Sequence, residues 1–141
     1  MLVIDTNVVL DLLHFDDATA RPLRLALEAG RVRCAVSDAT LEELRRVLAY
    51  PEFGLDEARQ AGLFARYQAL AVAAAGAAAV PGLPRCGDPD DQKFIELAAA
   101  VQAQTLVSKD RAVLKLRRRC APWFRVMSPA EAVRWLDERP A

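Results

Sequence analysis

The chain has 141 residues, 53% of them hydrophobic, and balances 19 basic against 19 acidic side chains for a formal net charge of zero. That length and apolar content suit one domain with a real core and exclude a disordered tail. The neutral charge excludes global attraction to nucleic acid and leaves that task to local basic patches.

Three scattered cysteines without a C-x-x-C pair suggest neither a disulfide framework nor a zinc site. With a single histidine, His14, any catalysis is expected to run on carboxylates. The longest apolar stretch, Leu70 to Val80, is too short to span a bilayer. Met1 starts directly on a strand-like run with no basic leader, so a cytoplasmic protein without membrane association is expected. Arg far exceeds Lys and Ala is abundant, a usage that points to a GC-rich bacterial genome.

Leu2-Val3-Ile4-Asp5 reads as a short, fully buried strand that ends on a carboxylate. A helix is expected from about Thr6 to Leu13, and a second within residues 16–31, with Gly30 in the place of a C′ glycine. Val32 to Val36 is the second strand. Ser37 then caps a helix that runs to about Ala49 and is stopped by Pro51. A longer helix is expected from Asp56 to about Ala75, with Leu63, Phe64, Tyr67, Leu70 and Ala71 on one face.

Residues 77–87 read as a short strand and a turn-rich loop. A helix from Pro89 to Gln102, a strand Thr105 to Ser108, a helix Asp110 to Arg118 and a strand Phe124 to Ser128 follow. Ser128, Pro129 and Glu131 stand at N-cap, N1 and N3 of a last helix, a capping box. Strands alternate with helices throughout. The expectation is a three-layer α/β/α fold over residues 1–141, one domain with a central, mainly parallel sheet of about five strands.

Open parallel sheets place their sites at the carboxyl ends of the strands, so the acids there draw interest. Asp5 ends the first strand; helix capping is the alternative reading. Glu42 has Arg45 and Arg46 at i+3 and i+4 and reads as a solvent-side ion-pair former. Glu43 stands at the edge of the face carrying Leu44, Val47 and Leu48, where a carboxylate needs a partner. Asp88, Asp90 and Asp91 open one helix, where the dipole favours them, and Asp91 is placed to point over the sheet. Asp110 repeats the pattern of Asp5 after the strand Thr105 to Ser108. Four acids at one edge repel one another unless some are protonated or a cation compensates. Hard oxygen ligands suit Mg²⁺ or Mn²⁺ and hydrolysis of phosphodiesters.

Four segments carry a resemblance: VIDTNVVLDLL at the start, SDATLEEL, DPDDQKFIELAAA and TLVSKDRAVLKL. In this order and spacing they resemble the PIN domain family, a metal-dependent ribonuclease fold. The DPDD-x-x-F-x-E-L-A form is most similar to its toxin components of bacterial toxin–antitoxin pairs, relatives of the VapC toxins. The resemblance implies an acidic metal site of Asp5, Glu43, Asp91 and Asp110, with Asp88 and Asp90 as supplementary or supporting acids. It implies that Thr6 and Asn7 support Asp5 by hydrogen bonds and that Ser108 orients water or metal at Asp110. It also implies endonucleolytic cleavage of RNA with Mg²⁺ or Mn²⁺, a homodimer and an antitoxin partner.

Lys109 departs from the small residue common at that place; contact with phosphate and pairing with an acid are both open. Among the basic residues after Asp110, Lys109 and Arg111 are the expected RNA contacts. Arg117 to Arg119 read equally well as a solvated helix end. Phe64 and Tyr67 read as core or interface residues, and with Leu63 they are candidates for a dimer face. The alternatives are a haloacid-dehalogenase-type phosphatase, disfavoured by Asn7 where a second Asp is wanted, a receiver domain, and a non-catalytic interaction module.

Overall fold

A computed structural model describes residues 1–74 and 78–139. The five strands are β1 Leu2–Ile4, β2 Cys34–Val36, β3 Ala71–Ala73, β4 Thr105–Val107 and β5 Arg125–Met127. They form one sheet in the order β3-β2-β1-β4-β5, and every pairing is parallel. The helices are α1 Thr6–Leu13, α2 Arg21–Glu28, α3 Asp38–Leu48, α4 Glu57–Leu70, α5 Gln92–Ala100, α6 Arg111–Leu114, α7 Arg117–Cys120 and α8 Pro129–Glu138.

Each strand is three residues long, and β1, β2 and β4 are buried throughout. Side chains alternate across the sheet. Leu2, Ile4, Cys34, Val36 and Val107 enter a core shared with α1, α2, α3 and α8. Val3, Ala35, Leu106 and Val126 enter the opposite core, built around Phe94, Ile95 and Ala98 of α5 and Cys120 of α7. Full burial of such side chains is worth about 1.5–3 kcal/mol each. Two covered faces explain why the strands read as continuous apolar runs. The expected three-layer architecture is what the chain adopts.

Beyond the strands, two backbone bonds fix the loops that matter. Asp5 N–H donates to the Val107 carbonyl at 2.9 Å, and Ser108 N–H to that of Met127, also at 2.9 Å. The ends of β1, β4 and β5 are thereby held level, so whatever follows Ile4 and Val107 emerges at one edge.

Some boundaries differ from the sequence reading. α4 stops at Leu70, and the third strand is Ala71–Ala73, inside the segment expected to be helical. Cys34, Ala35 and Val36 pair there with Ala71, Val72 and Ala73, and Ala74 N–H reaches the Val36 carbonyl at 2.8 Å. Ala favours helix by only a few tenths of a kcal/mol over most residues, and a row of ladder bonds outweighs that. The strand expected near residues 77–80 is not formed over 78–80, and residues 75–77 lie outside the described residues.

The helix expected from Asp110 to Arg118 is two short ones, with Lys115 and Leu116 between them. The break lets Val113, Leu116 and Cys120 all reach one core. α2 starts late, at Arg21, after the Asp17 carboxylate has accepted the Ala20 N–H. The capping box at Ser128 and Glu131 is present, with both reciprocal bonds made.

Candidate active site

Asp5 leaves β1 with extended backbone and its carboxylate turned back on its own helix. Oδ1 accepts the Asn7 backbone N–H at 3.3 Å, and Oδ2 accepts the Ser108 hydroxyl at 2.7 Å. Capping and site placement therefore coexist in one side chain. Asp5 is buried, and burial pushes its pKa upward; the nearby charges of Glu43 and Asp110 add to this, while the bonds from Ser108 and Asn7 oppose it.

Ser108, fully buried after β4, is a two-sided link. It donates to Asp5 and accepts the Asp110 backbone N–H at 3.0 Å. Asp110 caps α6 through Oδ1, which takes the Ala112 N–H at 2.8 Å. One hydroxyl therefore ties the two strand-end aspartates together.

Asp91 ends a 3-10 turn, Pro89–Asp91, that Asp88 caps by accepting the Asp90 N–H at 3.0 Å. Asp91 is buried, and its Oδ2 has no hydrogen-bond partner among the described residues. Carboxylate oxygens of Asp88, Asp91 and Asp110 lie within 4.8 Å of one another. Burial, then the Asp110 side chain and the charges of Asp5, Asp110 and Asp88, push the Asp91 pKa up to about 8. Asp90 is exposed and is not part of this group.

Glu43 is buried on α3, whereas Glu42 is exposed and pairs with Arg45 at 3.1 Å. The Thr6 hydroxyl donates to Glu43 Oε2, and Lys93 Nζ stands 2.9 Å from Oε1. Glu43 lies close enough to Asp5 for its charge to raise the Asp5 pKa.

The structure thus brings Asp5, Glu43, Asp88, Asp91, Asp110, Thr6 and Ser108 to one edge. The hydrogen-bond support expected for Asp5 comes from Asn7, joined by Ser108, and not from Thr6. Thr6 serves Glu43, and Asn7 contributes its backbone N–H while its side chain is exposed. A threonine one place along α1 faces a different neighbour from the cap residue before it.

Lys109 resolves to the pairing alternative, with Nζ 2.7 Å from Oδ2 of the buried Asp11. Arg111 is exposed and makes no ion pair among the described residues. Arg117 forks onto both Glu131 oxygens at 3.0 Å and forms no ion pair with the site acids among the described residues. Of the two places expected for Tyr67, core or interface, the structure puts it in the core.

Two residues escaped the sequence reading. Lys93 stands two places after Asp91, and counting acids alone passed over it. Asp11 interrupts the apolar run VVLDLL, a charge on a buried helix that asks for a partner.

The donor set fits a hard divalent cation. It is made of oxygens, it gathers mutually repelling acids, and it holds one buried carboxylate oxygen that no group among the described residues satisfies. The fold and site thus define an all-parallel sheet with an acidic cluster at the ends of its strands. The sequence model of the PIN domain matches residues 1–112, and the chain belongs to that family. The matched span contains all five acids. PIN domains are in general nucleases that use divalent metals, so a nuclease-type activity is supported here. No curated protein and no solved structure matches the chain. Among the described residues no helix is long and apolar enough to cross a membrane.

Proposed function

We propose that this chain is a metal-dependent endoribonuclease, using Mg²⁺ or Mn²⁺, and the toxin of a toxin–antitoxin pair. The observation that carries the metal-dependent part is the Asp88–Asp91–Asp110 cluster with its unpartnered Asp91 Oδ2. RNA as substrate, the toxin role, a homodimer, a cognate antitoxin and a bacterial cytoplasmic setting rest on the likeness of DPDDQKFIELAAA to the VapC-like branch.

Asp91, Asp110 and Asp88 would hold the cation, with Asp5 beside them. When bound, it lowers the pKa of water and stabilises charge on the phosphoryl oxygens. The protein's part is to fix the acids. Ser108 keeps Asp5 and Asp110 in register, and the turn Pro89–Asp91 sets Asp91 over the sheet. Burial and its acidic neighbours favour the protonated form of Asp91 near neutral pH without metal, and Asp91 would give up that proton on serving as a ligand. Arg111, exposed next to Asp110, is the cation best placed to meet a substrate phosphate; Lys109 reaches one only by leaving Asp11.

The test is cleavage of a mixed RNA pool by purified protein with Mn²⁺ or Mg²⁺, against EDTA and an Asp110→Asn control. Cleavage abolished in both controls supports the reading. Cleavage that survives EDTA and the substitution, or none with any divalent ion, refutes it.

A further inference from the structure

Given the metal-dependent reading above, we propose that Lys93 is a built-in counter-ion. Its ammonium fills the half of the acidic site around Glu43, so the chain takes up one divalent cation rather than two. Both Glu43 oxygens already have donors, Thr6 Oγ1 on Oε2 and Lys93 Nζ at 2.9 Å on Oε1. The Lys93 and Glu43 side chains are only 20% and 12% exposed. There water screens the pair less than at the surface, and the attraction is correspondingly stronger. A second divalent ion using Glu43 would have to expel an ammonium that is tethered to the same segment as Asp91.

The other half has the opposite character. Asp91 Oδ2 is buried without a partner, and its neighbours Asp88 and Asp110 are also acids. No lysine or arginine among the described residues forms an ion pair with Asp88, Asp91 or Asp110. Lys109, though adjacent in sequence to Asp110, is held by Asp11 on α1. The uncompensated acids therefore lie around Asp91, and the fixed positive charge lies at Glu43.

Lysine offers three N–H donors. Glu43 takes one, and Lys93 also lines a cleft of about 440 Å³ together with Ser37, Arg85 and Glu96. The remaining donors are available to a non-bridging phosphate oxygen of a substrate strand. In this arrangement the ammonium does for one phosphate oxygen what a second metal ion would otherwise do.

The experiment counts Mn²⁺ ions on the metal-stripped full chain by calorimetry and by electron paramagnetic resonance. One ion per chain is expected for the wild type and for Lys93→Arg, and two for Lys93→Met. Two ions on the wild type, or one on a folded Lys93→Met, would overturn the assignment. Should Lys93→Met fail to fold, Glu43→Gln decides. It is expected to leave Mn²⁺ affinity within about threefold, whereas Asp110→Asn lowers it at least about tenfold. Equal losses would overturn the assignment. No Mn²⁺ on the wild type would remove the metal-dependent reading itself, a different failure from a count of two.

Discussion

Around Glu43 each carboxylate oxygen has a donor, Thr6 on one and Lys93 on the other. Around Asp91 one oxygen is buried with none, and the groups beside it are Asp88 and Asp110. Both are buried acids within one edge of one sheet, yet one is met by donors of the fold and the other has only acids beside it, so that it depends on a proton or a cation. Leaving such a group unmet costs on the order of 1–3 kcal/mol, more when it is charged. A fold that bears this cost at one acid and avoids it at the next marks where an exchangeable ligand belongs.

The largest effects should come from the unneutralised side. Asp91→Asn or Asp110→Asn is expected to lower metal-dependent cleavage at least about a hundredfold, measured as kcat/KM on one RNA. Asp91→Asn should also raise the melting temperature in EDTA near neutral pH, because the metal-free fold no longer has to take up a proton at a side chain that is ionised in the unfolded chain. Loss of activity together with loss of metal-free stability would contradict this account of Asp91.

The next effect is a pH dependence. Asp91 is held up at about 8, and Asp5 is raised as well, both from an ordinary 3.8. An acid whose pKa is higher in the folded than in the unfolded chain contributes stability that is fully present below about 3.8. That stability is lost as pH rises through the folded value. Urea unfolding in EDTA should therefore show the wild type losing stability, relative to Asp91→Asn, between about pH 4 and pH 8. Saturating Mn²⁺ should flatten the difference. An equal slope in the two proteins would show that Asp91 ionises freely.

Much of this arrangement was legible because it follows from short-range rules. Apolar triplets ending at Asp5 and just before Ser108-Lys109-Asp110 gave the two central strands. Helical spacing separated buried Glu43 from exposed Glu42. What was not legible depends on partners distant in sequence. β3 exists because Ala71–Ala73 meet Cys34–Val36, and no local signal in an alanine-rich stretch announces that. Thr6 finds Glu43 37 residues away, and Lys93 finds it across 50. Lys109 could be read two ways until Asp11 was seen beside it.

Ser108→Ala tests the link between the two strand-end aspartates. It removes the donor to Asp5 and leaves the Asp110 N–H without its acceptor. The expected loss is about 1–3 kcal/mol in urea unfolding, with Mn²⁺ affinity down about tenfold. Ser108→Thr should recover part of the affinity. Unchanged Mn²⁺ binding in the alanine variant would make Ser108 a structural residue only.

The smallest effect belongs to Arg117, and it separates the basic run from the acidic site. Its guanidinium grips Glu131 and, with the Ser128 backbone N–H, holds the Glu131 carboxyl down to about 2. A depressed acid contributes stability above its ordinary 4.5 that is lost as pH falls toward 2, the opposite sign from Asp91. The pair is partly exposed, at 44% and 32%, so solvent and salt discount it to roughly 0–1 kcal/mol. Arg117→Ala should lower the melting point slightly at neutral pH, less so in high salt, and leave Mn²⁺ binding and cleavage unchanged. A fall in kcat/KM that tracks ionic strength would instead place Arg117 among the RNA contacts, because lost phosphate contacts show themselves through salt. Arg111, exposed beside Asp110, is the residue from which that salt-dependent loss is expected.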